Sequence, residues 1–462
     1  MRLRMRMMVG LIAVLAMVAA ACSSSDSGDT TTPDAPQETA APTETTQAAT
    51  ATTQAATATT EAPAAGPLAE FGEDPGAADA ALVAKALGPV DPSDDDSWNI
   101  VLAAVARADQ NPDQATIDKA LECWNNQTCD TGSGGALVMG FADGGGDTVN
   151  VWRGVSHMEA ILQALTYPEI GSIVSTAANF DLDPEVHAND VRFLVQSGVD
   201  FIVGYPDVGI ALAGAVSEAE AAGIPYLSFS AGYVGLPGQE GALIPGDDYT
   251  AVVGEDLCAL GQSFADVLNE GAGSGQIGML GGTPGNALTL GWQQCTTAAL
   301  DGDLVNPPAD ENSTTGDTFW VNTFALDAVR GLLTTSPDIA GWVYEYSDGL
   351  FTGLQAYDEL GIPVENLTVA LRTDEQTLFC DWVDRGEPTY NIWYSAGGNF
   401  QSRVSVTAAM LALQGADVPG EIVVPHVMRQ VSEADCNPDR VNEVVSGTSL
   451  VPDEVLAAMF GG

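Results

Sequence analysis

The sequence predicts an α/β protein built as two Rossmann-like lobes. Three observations carry that prediction. From Gly135 onward, short apolar runs alternate with amphipathic helical segments, the βαβ pattern that demands a parallel sheet with right-handed crossovers. The alternation restarts near Tyr249, so one chain holds two such sheets. The apolar runs stop at polar or glycine-rich corners such as GYPD (Gly204–Asp207), and open α/β sheets bind ligands at those strand ends.

The elements follow in order. Ala136–Phe141 (ALVMGF) is a continuous apolar run, as expected of a strand covered on both faces. Next, VWRGVSHMEAILQAL puts Val151, Val155, Met158, Ile161, Leu162 and Leu165 on one helical face. The strand SIVSTAA, the helix DPEVHANDVRFLVQSG, the strand DFIVGY, the helix IALAGAVSEAEAAG closed by Gly223, and the strand IPYLSFS complete the first half. In the second half YTAVVGEDLCALGQSFADVLNEG reads as one helix. QIGMLGG, IAGWVYEY, LTVALRT, YNIWYSA and EIVVPHVM then read as strands, with helical segments between them.

What precedes the lobes is of another kind. Arg2, Arg4 and Arg6 lead into an apolar run, Met7–Ala21, too short for a comfortable membrane span, so residues 1–21 read as a signal peptide. AAAC at Ala19–Cys22 resembles the lipobox of bacterial lipoproteins, which implies cleavage before Cys22, its lipidation, and anchoring on the outer face of the cytoplasmic membrane. Residues 22–67 are Thr, Ala, Pro, Ser and Glu without periodicity, a disordered tether. Residues 68–134 read as a helical extension docked on the main body, with Ile117, Leu121 and Trp124 at helical spacing.

Composition excludes several functions. With 63 acids against 14 Lys plus Arg, the formal charge is -49, a surface that repels phosphate backbones and anionic headgroups. Nucleic acid is therefore not an expected partner. Beyond Cys22 the six cysteines of an exported chain point to disulfides, for which 15 pairings exist. The expected set is Cys123–Cys129, Cys258–Cys295 and Cys380–Cys436. Zinc is disfavoured, because the spacing is not CxxC and the histidines are only His157, His187 and His426.

No cofactor, metal or catalytic residue is expected. CDTGSGG holds one Asp-Thr-Gly where an aspartic protease needs two carboxylates sharing a proton. GSGQIG precedes a strand, so its glycines cannot present a helix N-terminus to a pyrophosphate. FDLDPE lacks the Gly and terminal Glu of a calcium loop. GxSxG, HExxH and Walker sequences do not occur.

Four phrases, QSGVDFIVGYPDVGIALAGAVSEAEAAGIPYLSFSAG, MLGGTPGNALTLGWQQC, PDIAGWVYEYSDGLFTGLQAYDELGI and VALRTDEQTLFCDWVDRG, stand in the order seen in a known family. Across roughly Gly135–Glu433 the chain resembles the ribose-type (type I) periplasmic sugar-binding proteins, the receptors of ABC importers. The resemblance implies a three-segment hinge, with crossings near Leu243–Gly246, Tyr394–Gly397 and Pro419–Val424. The N-terminal lobe is then 135–244 plus 396–420, and the C-terminal lobe 245–395 plus 421–450. It implies a monomer that shuts on a sugar or sugar-like solute without reacting it, partnered by a membrane permease.

Candidate ligand-binding residues lie at strand ends. They are Asp143, Asp147, Asn150 and Trp152 after the first strand, Tyr205 and Asp207 after the third, and Ser230 after the fourth. In the second lobe they are Asn286, Tyr346, Asp348, Arg372, Thr373 and Tyr394. Against the family's pattern, GGGDTVNVW replaces an Asn-Pro-Phe-Phe phrase, and Ser230 and Ala231 replace an Asp-Arg pair. Arg372 and Thr373 stand where a Phe-Asp pair is usual. The identity of a sugar is thus open, and receptors for a nucleoside, an amino acid or a signal molecule remain alternatives. A secreted hydrolase is a further alternative, which the scarcity of histidine disfavours.

Overall fold

The computed structural model describes residues 68–93, 95–146, 150–177, 183–305, 316–386, 390–395, 398–437 and 447–460. The signal peptide, Cys22, the tether and Asp147 lie outside them.

The extension forms α1 (Ala80–Leu87), α2 (Asp96–Ala106), α3 (Gln114–Asn125) and a short strand β1 (Thr128–Asp130). Aspartates start each helix. Asp79, Asp95 and Asp113 accept backbone N–H groups of the first turn, which satisfies donors that a helix start leaves open.

The first half gives β2 (Leu137–Asp143), α4 (Val151–Leu165), β3 (Ile170–Ser175), α5 (Pro184–Gln196), β4 (Phe201–Tyr205), α6 (Ala213–Ala221) and β5 (Tyr226–Ser228). Then follow β6 (Ala251–Gly254), α7 (Leu257–Gly271), β7 (Gly275–Gly281), α8 (Ala287–Ala299), β8 (Leu304–Val305), β9 (Gly316–Asp317) and α9 (Asn322–Thr335). The chain continues through β10 (Ile339–Tyr344), α10 (Ser347–Leu360), β11 (Thr368–Leu371), α11 (Gln376–Asp384), β12 (Asn391–Tyr394) and α12 (Gln401–Leu413). It ends with β13 (Glu421–Val423), β14 (Arg429–Gln430) and α13 (Asp453–Phe460).

Two sheets result, in the orders β1-β3-β2-β4-β5-β6-β13 and β14-β12-β11-β10-β7-β8. Their cores are parallel, and among the described residues only the edge pairs β1–β3 and β12–β14 are antiparallel. The two expected α/β lobes are thus present.

Several boundaries differ from the sequence reading. Val252 and Val253 were expected in a helix, but they form β6, paired with β5 and β13. Two adjacent β-branched residues favour that extended state, and the helix starts only after Asp256, whose side chain accepts Ala259 N–H. The first crossing accordingly moves from Leu243–Gly246 to Glu255–Asp256. EIVVPHVM is not one strand: β13 joins the first sheet and β14 the second. Pro425 lacks the N–H that a continuous ladder needs, so the third crossing falls at residues 424–428. Residues 421–450 are expected in the second lobe. Yet Ser449 Oγ and the N–H groups of Leu450 and Val451 donate to Glu159 on α4 of the first lobe, at 2.7, 2.6 and 3.1 Å.

The extension covers the first lobe. α2 packs on α12, and Ser97 of α2 bonds both Glu421 and Val423 on the backbone of edge strand β13. With α3 and α13 also docked there, α4 is buried on all sides, including His157, Glu159 and Gln163. The three disulfides join the expected pairs. Among the described residues no helix is long and apolar enough to cross a membrane.

Candidate functional site

The C-terminal ends of both sheets meet around a small cavity. The first lobe lines it with Asn150, Trp152, Arg153, Tyr205 and Ser230, the second with Leu288, Trp320, Glu345, Tyr346, Arg372 and Thr373.

After β2 the chain turns through glycines to reach α4. A Cβ on Gly145 would sit 2.1 Å from the Arg153 guanidinium, so glycine is what lets that group lie against the loop. Arg153 bonds Asp143 and, at 3.0 Å, Asp207. Its guanidinium lies 5.0 Å from the ring centroids of both Tyr205 and Trp320. Asn150 occupies the N-cap position of α4 without making a cap bond. Its Oδ1 is buried and unbonded, while its Nδ2 donates to Trp320 O at 3.5 Å.

After β5, Ser230 and Ala231 both adopt positive φ, 61° and 51°. The opposite wall repeats this, with Phe319 at 52° and Trp320 at 53°. Left-handed non-glycine residues cost free energy and cluster where surrounding structure holds a site in shape. Ser230 Oγ is buried without a bond.

In the second lobe, Trp320 Nε1 donates to Glu345 at 2.8 Å, and Glu345 also accepts from Thr289 and Trp292. Burial holds the Glu345 carboxyl above its ordinary range despite these donors. Arg372 follows β11 and bonds Glu255, on the first crossing, at 2.9 Å, and its Nε is buried and unbonded. Burial pushes Glu255 up, but the guanidinium outweighs it and holds the carboxyl below its usual range.

Direct bonds join the lobes across the cavity rim. Thr283 Oγ1 donates to Asp207 at 3.1 Å, Asn286 Nδ2 donates to Asp207 O at 2.9 Å, and Tyr205 Oη donates to Asn286 at 3.4 Å.

The structure therefore brings Asn150, Trp152, Tyr205, Ser230, Tyr346, Arg372 and Thr373 to the cavity wall. Asp143 and Asp207 stand behind it as the anchors of Arg153. Asn286 spans the lobes. Asp348 lies below Tyr346, held by Asn322 and Thr377. Tyr394 lies apart from the cavity: its ring packs on Phe379 and its hydroxyl donates to Asp435 at 2.7 Å. Sequence reasoning passed over Arg153, Trp320, Glu345 and Leu288. For Arg153 a signal existed, since arginine is scarce in this chain and this one follows a strand-end loop.

Residues 148–417 match the model of a family described as periplasmic binding protein domain. A search of curated proteins finds no match. Among solved structures, an ABC transporter periplasmic solute binding protein from Actinobacillus succinogenes with bound D-allose is 19% identical, covering 65% of this chain and 98% of that one at a TM-score of 0.52. An ABC transporter solute binding protein from Agrobacterium vitis bound with α-D-tagatopyranose is 16% identical, covering 67% and 99% at 0.54. A Mycobacterium smegmatis protein in complex with β-D-fucofuranose is 19% identical, covering 71% and 98% at 0.52.

Proposed function

We propose a function from one premise: the chain belongs to the periplasmic binding protein domain family, and so acts outside the cytoplasm as a solute-binding protein. Our reading is that it is a lipid-anchored receptor of an ABC importer, which closes on a neutral sugar or sugar-like polyol and performs no reaction. The observation that carries this is the chemistry of the cavity wall. Trp152, Tyr205, Trp320 and Tyr346 offer rings for C–H faces. Asn150 Oδ1, Ser230 Oγ and Arg372 Nε offer an acceptor, a hydroxyl and a donor that have no protein partner. Such groups favour a guest with matching hydroxyls, because leaving each unpaired costs about 1–3 kcal/mol. Both guanidiniums are already matched by carboxylates, which disfavours a sugar acid or the carboxylate of an amino acid.

Thermal unfolding with D-allose, D-tagatose, D-fucose, L-arabinose, nucleosides and amino acids tests the reading. A guest at 100 times its dissociation constant adds about 2.7 kcal/mol of stability, and Asn150→Ala should remove most of that gain. Stabilisation by amino acids or nucleosides alone, or turnover of a bound sugar, would overturn it. Labelling of cells with a palmitate analogue tests the anchor: the wild type should take up label and Cys22→Ser should not.

A further inference from the structure

We propose that Arg153, seated in the first lobe between Asp143 and Asp207 and covered by Trp320 of the second, is a positioning residue that draws the lobes together before any guest is bound. The consequence for binding rests on the receptor reading above. The closure itself does not.

The argument starts from where the partners of Arg153 reside. Its carboxylates both belong to the first lobe, Asp143 at the end of β2 and Asp207 just after β4, so the charge is matched whether the site is open or shut. Its aromatic partners are divided. Tyr205 belongs to the first lobe and Trp320 to the second, each with its ring centroid 5.0 Å from the guanidinium. Trp320 therefore meets the cation only when the lobes are together. A guanidinium whose charge is already matched, and whose hydration is weak, gains from a ring face.

Three further features aim Trp320 at that spot. Glu345 fixes its indole N–H at 2.8 Å. A Cβ on Gly282 would lie 2.0 Å from the indole ring, so glycine makes room for it. The positive φ of Phe319 and Trp320 holds the loop in a shape that L-residues rarely choose. The other side of the latch is equally specific, because Asp207 takes a second interlobe bond from Thr283 at 3.1 Å. None of these contacts needs a guest. The two that cross between the lobes, Arg153 with Trp320 and Thr283 with Asp207, lower the free energy of the closed state in the empty protein, and a pre-closed receptor gives a guest less to rearrange and a slower escape.

The test measures interlobe distance in the empty protein, with spin labels on cysteines at exposed Phe193 and Leu360, one on each lobe. The expected result is a populated closed distance without guest. Arg153→Met and, independently, Thr283→Val should raise the open-to-closed ratio about 2- to 30-fold, with Arg153→Lys in between because it keeps the charge but not the flat face. An empty wild type found only at the open distance overturns the proposal, and so does an unchanged distribution in Arg153→Met. If Arg153→Met does not fold, Arg153→Lys decides, since it keeps the charge and removes only the flat guanidinium face, and an unchanged distribution there overturns the proposal. Failure of the sugar reading would show separately, as distances unmoved by D-allose at saturating concentration in a protein that still closes when empty.

Discussion

Glu345 and Trp320 are joined by a hydrogen bond of 2.8 Å between carboxylate and indole, and that contact helps set the angle of one of the two indoles on the cavity wall. Glu345 also receives the indole of Trp292 and the hydroxyl of Thr289, so a single buried side chain organises three others. Glu345→Ala leaves those donors buried without an acceptor, at about 1–3 kcal/mol each before relaxation. Glu345→Gln keeps one acceptor oxygen and should fall between. Guest affinity and melting temperature should drop together in Glu345→Ala. A variant with wild-type affinity would show that the ring needs no such anchor.

Glu375 makes the fold sensitive to alkali. Burial, and then the nearby Asp374 carboxylate, push its carboxyl up to about 7. The folded state therefore holds a proton that the unfolded chain, with its ordinary value near 4.5, releases. Stability from this group is present below about pH 4.5 and lost as pH rises through 7, about 3 kcal/mol in all. Glu375→Gln should abolish that slope. Urea unfolding of both proteins from pH 4.5 to 8 reads the difference, and parallel curves would refute the assignment.

Arg403 and Glu159 form an ion pair with side chains 1% and 0% exposed, between α12 and α4. Glu159 is also the acceptor that ties the 449–451 segment to the first lobe. Arg403→Met strands a buried carboxylate and should cost about 3–5 kcal/mol. Pairing it with Glu159→Gln should recover part of the loss. Faster amide exchange across residues 447–460 would place the damage at the tail.

The disulfides should rank by loop length. Cys380–Cys436 spans 56 residues and Cys123–Cys129 spans 6. Chain entropy alone assigns the first about 4 kcal/mol and the second about 2. Paired serine variants, compared by denaturant midpoint, check the order.

Much of the scaffold was legible because parallel strands buried on both faces are continuous apolar runs. ALVMGF, DFIVGY and QIGMLGG announce themselves with no help from distant residues. AVVG at Ala251–Gly254 did not, since four residues before a helix share that helix's apolar spacing and only pairing with β5 and β13 reveals a strand. The site divides along the same line. Tyr205 ends a strand, and Ser230, Arg372 and Thr373 come within two residues of strand ends, so position alone suggests them. Glu345 looks like an ordinary corner acid in YEYSD, and its burial depends on Trp292 and Trp320, which sequence does not place beside it. Tyr394 follows a strand too, but β14 and Asp435 draw it aside.

The docked extension has one more effect. It supplies β1 as the outermost strand at one border of the first sheet and lays Ser97 across the backbone of β13 at the other. Bare strand borders recruit neighbouring polypeptides. The border strand β1 is only three residues long, and Ser97 occupies a carbonyl and an N–H of β13, so both borders leave little backbone open to such pairing.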